Sequence, residues 1–546
     1  MIRNTTEGVN RMNNEEKNLE QVLWDSANVM RQTMGAADYM NYALGLIFYK
    51  HLSDRTLEAV ANALMDTGEA DDRDMETEAQ RQAAYEQYWA DPDSRDELKS
   101  FMDMDYTIQP EFTFTAFVKA IKDKSFQLED LNQAFRDLEQ SNAPLLQNLF
   151  DDVDLHSTKL GSTPQKRNEV IAAVMEALAP LNLDSHSGDV LGDAYEYLIS
   201  NFASDMGQKA GEFYTPQSVS TLLTRIVTAG QEEKKDFTAY DPAMGSGSLL
   251  LNVRRYLKDA DSIQYYGQEI KTSTYNLARM NMILHGVSAT NQHLRNADTL
   301  DKDWPADEIT DFDGVMMNPP YSQKWSADKG FLNDPRFSDF GVLAPKSKAD
   351  YAFLLHGLYH LKSTGTMGIV LPHGVLFRGA AEGKIRRKLL EKGMIYAVIG
   401  LPAGIFYSTG IPTIIMVLKK DRDDRDVLFI DGSKEFVKGK PQNTLTDANI
   451  DRLFRAYQAR HDEEKFCHVA SFDEIKENDY NLNIPRYVDT FEPEPEVDLG
   501  ALNQEMAATN EEIEKSEKEL MAMMHDLTTA DAKKAQDLQD FLKLFE

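Results

Sequence analysis

The chain has 546 residues, of which 42% are hydrophobic and 10% aromatic, enough to bury a large core and to exclude wholesale disorder. Its single cysteine, Cys467, excludes a disulfide framework within the chain, and the sequence predicts no metal site. The formal charge of −32 excludes a broadly basic surface, so positive potential for a polyanion must lie in one cleft or come from a partner. No apolar run of membrane-spanning length and no secretory signal are found, and we expect a cytoplasmic protein.

Residues 1–165 predict a mainly α-helical domain. Apolar residues recur at helical spacing between residues 19 and 65, and Met40 to Leu52 is almost wholly apolar on one side. Residues 66–106 are acidic and polar, which fits either surface helices or a mobile insertion. Helical patterns then run from about Phe117 to about Leu181. The brief alternation EFTFT, at 111–115, is strand-like but too short to define a sheet.

Residues 166–490 predict an α/β domain, because short β-branched or aromatic runs alternate there with helical stretches. This alternation is typical of a doubly wound, mostly parallel sheet. Ligands bind beyond the carboxyl ends of the strands in such sheets, so the residues that end these runs are the first candidates for chemistry. The runs are DFTAYD (236–241), SIQYYGQE (262–269), FDGVMMN (312–318), TMGIVLP (366–372), IYAVIGLP (395–402) and TIIMVLKK (413–420).

Residues 491–546 predict a linker followed by a helical interaction segment. Pro493 and Pro495 disfavour a helix in FEPEPEVD, at 491–498. From Leu499 to Met523 a seam of mostly apolar residues recurs at spacings of three and four, as in a coiled coil. This helix either folds back on its own chain or docks on another one.

The motif DPAMGSGSLLLNV, at 241–253, directly follows the first predicted strand. Gly245 and Gly247 allow a sharp turn and a close ligand approach, and a helix that begins near Ser248 points its N-terminus at that ligand. A nicotinamide fingerprint would have a third glycine where this chain has Leu250. Taken alone, the turn is weak evidence for any one ligand.

Two carboxylates follow the next predicted strands. Glu269 ends the second strand and can accept hydrogen bonds from both hydroxyls of a ribose, or it caps the next helix. Asp298, at the expected end of a third strand, can accept from an adenine amino group, or it forms a turn.

Asn318, Pro319, Pro320 and Tyr321 follow the strand FDGVMM, and this motif is rare by chance at a strand end. The prolines hold the loop off the strand. The Asn318 amide oxygen and the Pro319 carbonyl can accept hydrogen bonds from both N–H groups of an exocyclic amine. These bonds free the lone pair of its nitrogen for attack. Tyr321 offers a flat face on which a base can stack.

Together these residues resemble the amino-methyltransferases of DNA, specifically the modification subunits of type I restriction-modification systems. The segments 23–55, 188–216 and 401–420 carry the same resemblance, which covers roughly residues 18–490. It implies a Rossmann-like, mostly parallel, seven-stranded methyltransferase sheet with an α-helical N-terminal domain and a C-terminal helical tail. It also implies methyl transfer from S-adenosylmethionine to the N6 amino group of adenine in double-stranded DNA.

The resemblance also assigns residues to the site. Asn318, Pro319, Pro320 and Tyr321 would hold the target adenine, and Phe406 would clamp the extruded base unless it is a core residue. The cofactor would have Glu269 at its ribose and Asp298 at its adenine. Its methionine end would lie against Glu212, Phe213, Tyr214, Thr215, Pro216 and Gln217, with Asp241, Gly245, Ser246 and Gly247 under the methionine and ribose.

In the resembling family a separate specificity subunit reads the target, two modification subunits flank it, and a restriction subunit that translocates DNA completes the enzyme. The sequence agrees, because it has no helix-turn-helix, zinc finger or duplicated recognition domain. GAAEGK, at 379–384, is one residue too short for a phosphate loop, so we expect no ATPase activity. Two alternatives stay open: a methyltransferase for protein glutamine or RNA bases, and a catalytically silent assembly subunit.

Overall fold

The computed structural model describes residues 19–26, 28–32, 34–102, 104–181, 183, 188–206, 214–302, 304–305, 311–407, 409–440, 442–490 and 498–544. The chain divides into two compact units, Met1–Asp489 and Thr490–Glu546. None of the described helices is long and apolar enough to cross a bilayer.

Helices build the N-terminal part of the first unit. A 31-residue helix, α1, supplies the middle of a core that includes Phe48, Phe135 and Phe150. The acidic region forms surface helices around a satellite core rather than an unstructured insertion. The described helices are α1 (Ala36–Asp66), α2 (Glu78–Ala90), α3 (Pro92–Phe101), α4 (Phe114–Lys122), α5 (Leu128–Ser141), α6 (Ala143–Leu146) and α7 (Pro164–Leu178).

The strand-like alternation EFTFT is helical in the structure. Pro110–Phe112 forms a 3-10 turn, and α4 begins at Phe114. The Thr113 side chain accepts a hydrogen bond from the backbone N–H of Ala116 at 3.1 Å. A threonine cap in front of an amphipathic helix therefore prevails over the two-residue alternation.

Within the described residues, nine strands form one sheet in the order β3-β2-β1-β4-β5-β7-β6-β8-β9. The expected seven strands are therefore too few. The two at the far edge, β8 and β9, were not among the predicted runs. The strands are β1 (Thr238–Asp241), β2 (Gln264–Glu269), β3 (Gln292–Asn296), β4 (Phe312–Met317), β5 (Leu361–Pro372), β6 (Ile395–Gly400), β7 (Thr413–Leu418), β8 (Val427–Asp431) and β9 (Cys467–Ala470).

The sheet reverses its winding direction between β1 and β4. All neighbours from β3 to β5 pair in parallel, whereas β7 is antiparallel to both β5 and β6. Because β1 leads to β2 on one side and lies against β4 on the other, the carboxyl ends of β1 and β4 flank a topological switch point. Such a point is where open α/β sheets bind ligands.

Helices and two apolar cores cover the faces of the sheet. Each buried strand therefore contributes side chains to both cores, which is why its sequence is a continuous apolar run. The helices of this region are α8 (Gly188–Met206), α9 (Gln217–Thr228), α10 (Ser248–Leu251), α11 (Thr272–Leu284), α12 (Asp350–Tyr359), α13 (Ala380–Glu391), α14 (Asp447–Ala459) and α15 (Phe472–Glu477).

The second unit consists of two helices, α16 (Leu499–His525) and α17 (Ala532–Leu542). No residue of α16 is buried. Six apolar residues of its predicted seam are exposed by 40–69%: Leu499, Leu502, Met506, Ile513, Leu520 and Met523.

Candidate active site

A tight glycine turn follows β1. Gly245 and Gly247 have φ angles of 56° and 80°, in the left-handed region that glycine adopts without strain. The turn is fixed from neighbouring elements, since the backbone N–H of Met244 donates to the Gln268 carbonyl and the Asn281 side chain donates to the Ser246 carbonyl. Only the short helix α10 follows the turn. The backbone groups available to a ligand here are therefore those of the turn itself and not those of a long helix.

Two buried carboxyl groups lie at the ends of β1 and β2. Asp241 is 1% exposed, and its Oδ1 accepts a hydrogen bond from the backbone N–H of Ala243 at 2.9 Å. Burial, with a smaller contribution from the nearby Glu269 carboxylate, raises the pKa of Asp241 to about 8. Burial also raises the pKa of Glu269, whose Oε1 accepts from the backbone N–H of Lys271 at 2.8 Å.

The Asn318 amide is held on both sides at the end of β4. Its Nδ2 donates to Thr215 Oγ1 at 3.1 Å, and its Oδ1 accepts from the Tyr321 hydroxyl at 2.7 Å. These two contacts fix which end of the amide faces which neighbour. The oxygen keeps a second acceptor position, so it can still accept a hydrogen bond from a bound amino group.

The loop after Asn318 is anchored beneath Tyr321. The backbone N–H of Ser322, a residue with φ of 52°, donates to Asp350 Oδ1 at 2.8 Å, and Asp350 is 1% exposed. Tyr321 is partly exposed, and its ring meets Phe406 edge to face with 6.1 Å between centroids. Phe406 is itself buried in a core. It therefore supports Tyr321 from the core side.

Two cavities adjoin at Asn318. The larger one, which we call the strand-end cavity, has a volume of about 420 Å³. The smaller one, the turn cavity, lies over the glycine turn, and Ala243 and Asn318 line both. The strand-end cavity is lined by Pro242, Ala243, Gln268, Glu269, Ile270, Lys271, Ala297, Asp298, Thr299, Asn318, Pro320, Tyr321, Gln323 and Phe353. The turn cavity is lined by Tyr214, Thr215, Asp241, Ala243, Met244, Gly245, Ser246, Ser248, Leu249 and Asn318.

Most of the residues assigned from the sequence line these two cavities. Asp298 is both a turn former and a lining residue, because its Oδ1 accepts from the backbone N–H of Leu300 while its side chain is exposed. Glu212 and Phe213 lie outside the described residues.

Five assigned residues line neither cavity: Phe406, which lies in a core behind Tyr321, and four others. Gly247 shapes the turn, Pro319 is buried, and Pro216 precedes α9 at its N-cap. Gln217 lines a different cavity, together with Glu196 and Arg254. That cavity shares Ser248 with the turn cavity.

Sequence reasoning missed several lining residues, among them Gln268 and Phe353. Gln268 is fully buried in β2, where its Oε1 lies 2.8 Å from the Tyr240 hydroxyl and its Nε2 has no hydrogen-bond partner among the residues that the structure describes. A polar residue next to Glu269, inside a buried strand, could have marked Gln268 as a candidate site residue from the sequence alone. Phe353 comes from α12, and only the tertiary fold brings it to the cavity.

Comparison with known proteins identifies the family to which this chain belongs. A family model described as N-6 DNA methylase matches residues 186–496, more than half of the chain, and one described as HsdM N-terminal domain matches residues 19–178. The chain belongs to the N-6 DNA methylase family. The methylase subunit of the type I restriction enzyme MpnII from Mycoplasma pneumoniae is 37% identical over 541 residues, which is 94% of this chain and 96% of the relative.

Two further relatives agree. The MjaVIII methylase subunit from Methanocaldococcus jannaschii is 30% identical over 73% of this chain and 78% of its own length. A crystal structure of a type I restriction-modification methyltransferase subunit from Streptococcus thermophilus is 59% identical with a TM-score of 0.83, over 87% of this chain and 100% of that one. This N-6 DNA methylase is thus an adenine-specific DNA methyltransferase of the type I modification-subunit class. The predicted function is confirmed over the glutamine, RNA and silent-subunit alternatives.

Proposed function

We propose that this N-6 DNA methylase transfers a methyl group from S-adenosylmethionine to the N6 amino group of adenine in double-stranded DNA. The observation that carries the proposal is the position of Asn318. Its side chain lies on the wall between the strand-end cavity and the turn cavity, at the sheet's switch point. An amine that reaches Asn318 is therefore placed beside both cavities.

The residues of the two cavities fit S-adenosylmethionine. We assign Glu269 to the ribose hydroxyls and Asp298 to the adenine amino group, with apolar surface from Ile270 and Phe353 for the purine. The buried Gln268 Nε2 has no partner among the described residues, and a polar ligand group would satisfy it. When bound, the cofactor supplies an electrophilic methyl group on its sulfonium sulfur.

The turn cavity has a volume of about 10 Å³ and would have to widen to take the methionine end of the cofactor. Tyr214, Thr215 and Asp241 line it beside the backbone of the glycine turn. Glu212 and Phe213 immediately precede this segment and are assigned to the same end. Gln217 is not, because it lines another cavity.

The chain's own groups would activate the adenine amine. Asn318 Oδ1 and the Pro319 carbonyl would accept hydrogen bonds from its two N–H groups, which localises the nitrogen lone pair for attack. Thr215 keeps the Asn318 oxygen turned towards Tyr321, and therefore towards the base. The base must leave the duplex stack at a cost of a few kcal/mol, and stacking on Tyr321 offsets part of this by about 1–3 kcal/mol.

We further propose a functional division into residues 1–165, 166–490 and 491–546. The first would be a helical domain, the second the catalytic domain, and the third a segment that docks on a specificity subunit. Two modification subunits per specificity subunit, with a restriction subunit in the full enzyme, would follow the arrangement that the resemblance implies. The exposed seam of α16 supports a docking role for the third segment.

The test is Asn318→Ala, assayed with tritiated S-adenosylmethionine, unmethylated DNA and the specificity partner. Cofactor affinity should be retained, and kcat should fall by about 100-fold or more, because an activating acceptor is lost in a desolvated site. Asn291→Ala is the matched control: that side chain donates to the Asp261 carbonyl and does not line either cavity. Turnover of Asn318→Ala at the wild-type rate would refute the role of Asn318.

A further inference from the structure

An unpaired set of lysines lies in the loop that follows Tyr321, residues 322–349, which we call the 322–349 loop. Lys324, Lys329 and Lys346 are all exposed. None of the three forms an ion pair with any residue that the structure describes. Unpaired cations are notable in a chain whose formal charge is −32.

The acidic residues of the same region are already bound within the fold. Asp328 caps a 3-10 helix by accepting from the backbone N–H of Gly330, and Asp334 pairs with Arg336. Asp339 pairs with Lys392, and Asp350, just beyond the loop, pairs with Arg378. Asp334 and Asp339 are therefore neutralised by partners other than the three lysines, and of the acids within the loop only Asp328 keeps a charge that no described residue pairs.

Backbone contacts place two of these lysines beside the strand-end cavity. Lys324 directly follows Gln323, which lines that cavity. The backbone N–H of Trp325 donates to the Lys346 carbonyl at 3.1 Å, and that of Ala349 donates to the Gln323 carbonyl at 2.9 Å. The stretches around 324 and 346 thus run side by side next to a residue of the cavity wall.

The loop that carries them is well packed. Trp325 is 7% exposed, its ring stacks on Phe331 at 5.5 Å, and its Nε1 donates to the Pro345 carbonyl at 3.1 Å. Phe337 packs against both rings. This packing orders the backbone from which the lysine side chains extend, so no backbone conformational entropy need be lost when they bind a ligand.

We propose that Lys324 and Lys346, with Lys329 beside them, bind the backbone phosphates of the DNA strand whose adenine enters the site. The inference rests on the proposed function. A base that reaches Tyr321 stays covalently joined to its sugar and phosphates, so the phosphates on either side of it lie near the same cavity. Lysine ammonium groups bind phosphates without regard to sequence, which suits a subunit whose target is read by a partner.

The test combines Lys324→Gln and Lys346→Gln in the full chain, assayed with the specificity partner at several salt concentrations. The KM for DNA should rise about tenfold near 0.1 M salt, and the slope of log KM against log salt should fall by about 0.9 for each phosphate that is no longer neutralised. Affinity for S-adenosylmethionine and kcat at saturating DNA should stay within about twofold of wild type. Lys324→Arg with Lys346→Arg should restore both the KM and the slope.

Lys119→Gln with Lys122→Gln is the matched control, because both of these lysines are exposed on α4 and form no ion pair with described residues. An unchanged KM and salt slope in the Lys324 and Lys346 variant would overturn the inference. So would a loss of assembly with the specificity subunit at unchanged affinity for DNA, since the lysines would then face a protein. Wild-type chain that methylates no DNA adenine in the same assay would refute the proposed function instead.

Discussion

Asp241 is a carboxyl group held at the end of β1 with almost no access to water. Its pKa is about 8 in the folded chain, against an ordinary value of 3.8. The folded chain therefore keeps a proton that the unfolded chain releases between these two values. Its contribution to stability is full below about pH 4 and is lost as the pH rises through 8.

Asp241→Asn removes this titration while it keeps an oxygen that accepts from Ala243. The free energy of unfolding of the variant, minus that of wild type, should increase from pH 4 to pH 8 by up to about 1.4 kcal/mol per pH unit. Denaturant unfolding of the chain without cofactor, followed by circular dichroism across that range, measures this difference. Asp473→Asn, at an exposed carboxylate on α15, is the control. A difference that does not change with pH would contradict the prediction.

At the residue scale, the sequence predicts those site residues whose chemistry lies in a contiguous motif. Asn318, Tyr321 and the glycine turn belong to this class, and the structure brings them to adjoining cavities. Gln217 shows why a carried-over segment stays a prediction residue by residue: Thr215 contacts Asn318, whereas Gln217 lines a separate cavity. Thr215 lies before the N-cap Pro216, whereas Gln217 is the first residue of α9, so the motif spans a change of backbone conformation that its residue types do not record.

At the scale of elements, a buried polar layer connects β1, β2 and α12 beneath the strand-end cavity. The Tyr240 hydroxyl lies 2.8 Å from Gln268 Oε1 and 2.7 Å from His356 Nε2, and all three residues are fully buried. His356 Nδ1 lies 3.1 Å from Arg336, which donates to the Thr299 carbonyl at 2.9 Å. Because Gln268 and Thr299 both line the cavity, the layer positions two parts of its wall.

Tyr240→Phe removes the hydroxyl at the centre of this layer. It should destabilise the fold by about 1–3 kcal/mol, because Gln268 and His356 are left buried without that partner. We also expect the Kd for S-adenosylmethionine to rise severalfold, with kcat at saturating cofactor within about twofold of wild type. Thermal unfolding and isothermal titration with the cofactor measure the two effects.

Tyr351→Phe is the control for this layer, since the Tyr351 hydroxyl is equally buried but donates to the Val375 carbonyl, away from the cavity lining. It should destabilise the fold without a change in cofactor affinity. Equal losses of cofactor affinity in the two variants would show that Tyr240 has only a structural role.

Element by element, the sequence predicts the long and strongly patterned parts of the fold. The runs that end at Asp241, Glu269 and Asn318 are strands or strand ends in the structure. The edge strands β8 and β9 were not predicted, and they pair with each other across the segment that contains α14. Tertiary contacts determine which strands they pair with, and the local sequence pattern carries no information on those contacts.

At the scale of the whole molecule, the two units differ in how much apolar surface they expose. The first unit has its own cores, whereas α16 in the second unit exposes apolar residues along one seam. Such a helix gains little from its own unit, and we propose that a partner helix covers the seam. We assign that partner to the specificity subunit.

Ile513→Asp with Leu520→Asp places two charges in this seam. Co-purification with the specificity subunit should be lost, because each carboxylate would have to be desolvated in the helix interface. Gln504→Asp with Ala508→Asp adds the same charge to exposed positions of α16 outside the seam and should leave the complex intact. Both variants should bind S-adenosylmethionine as wild type does, since the cavities are built within the first unit. A complex of normal stability with the seam variant would show that α16 is not the docking helix, while the site around Asn318 would stand unaffected.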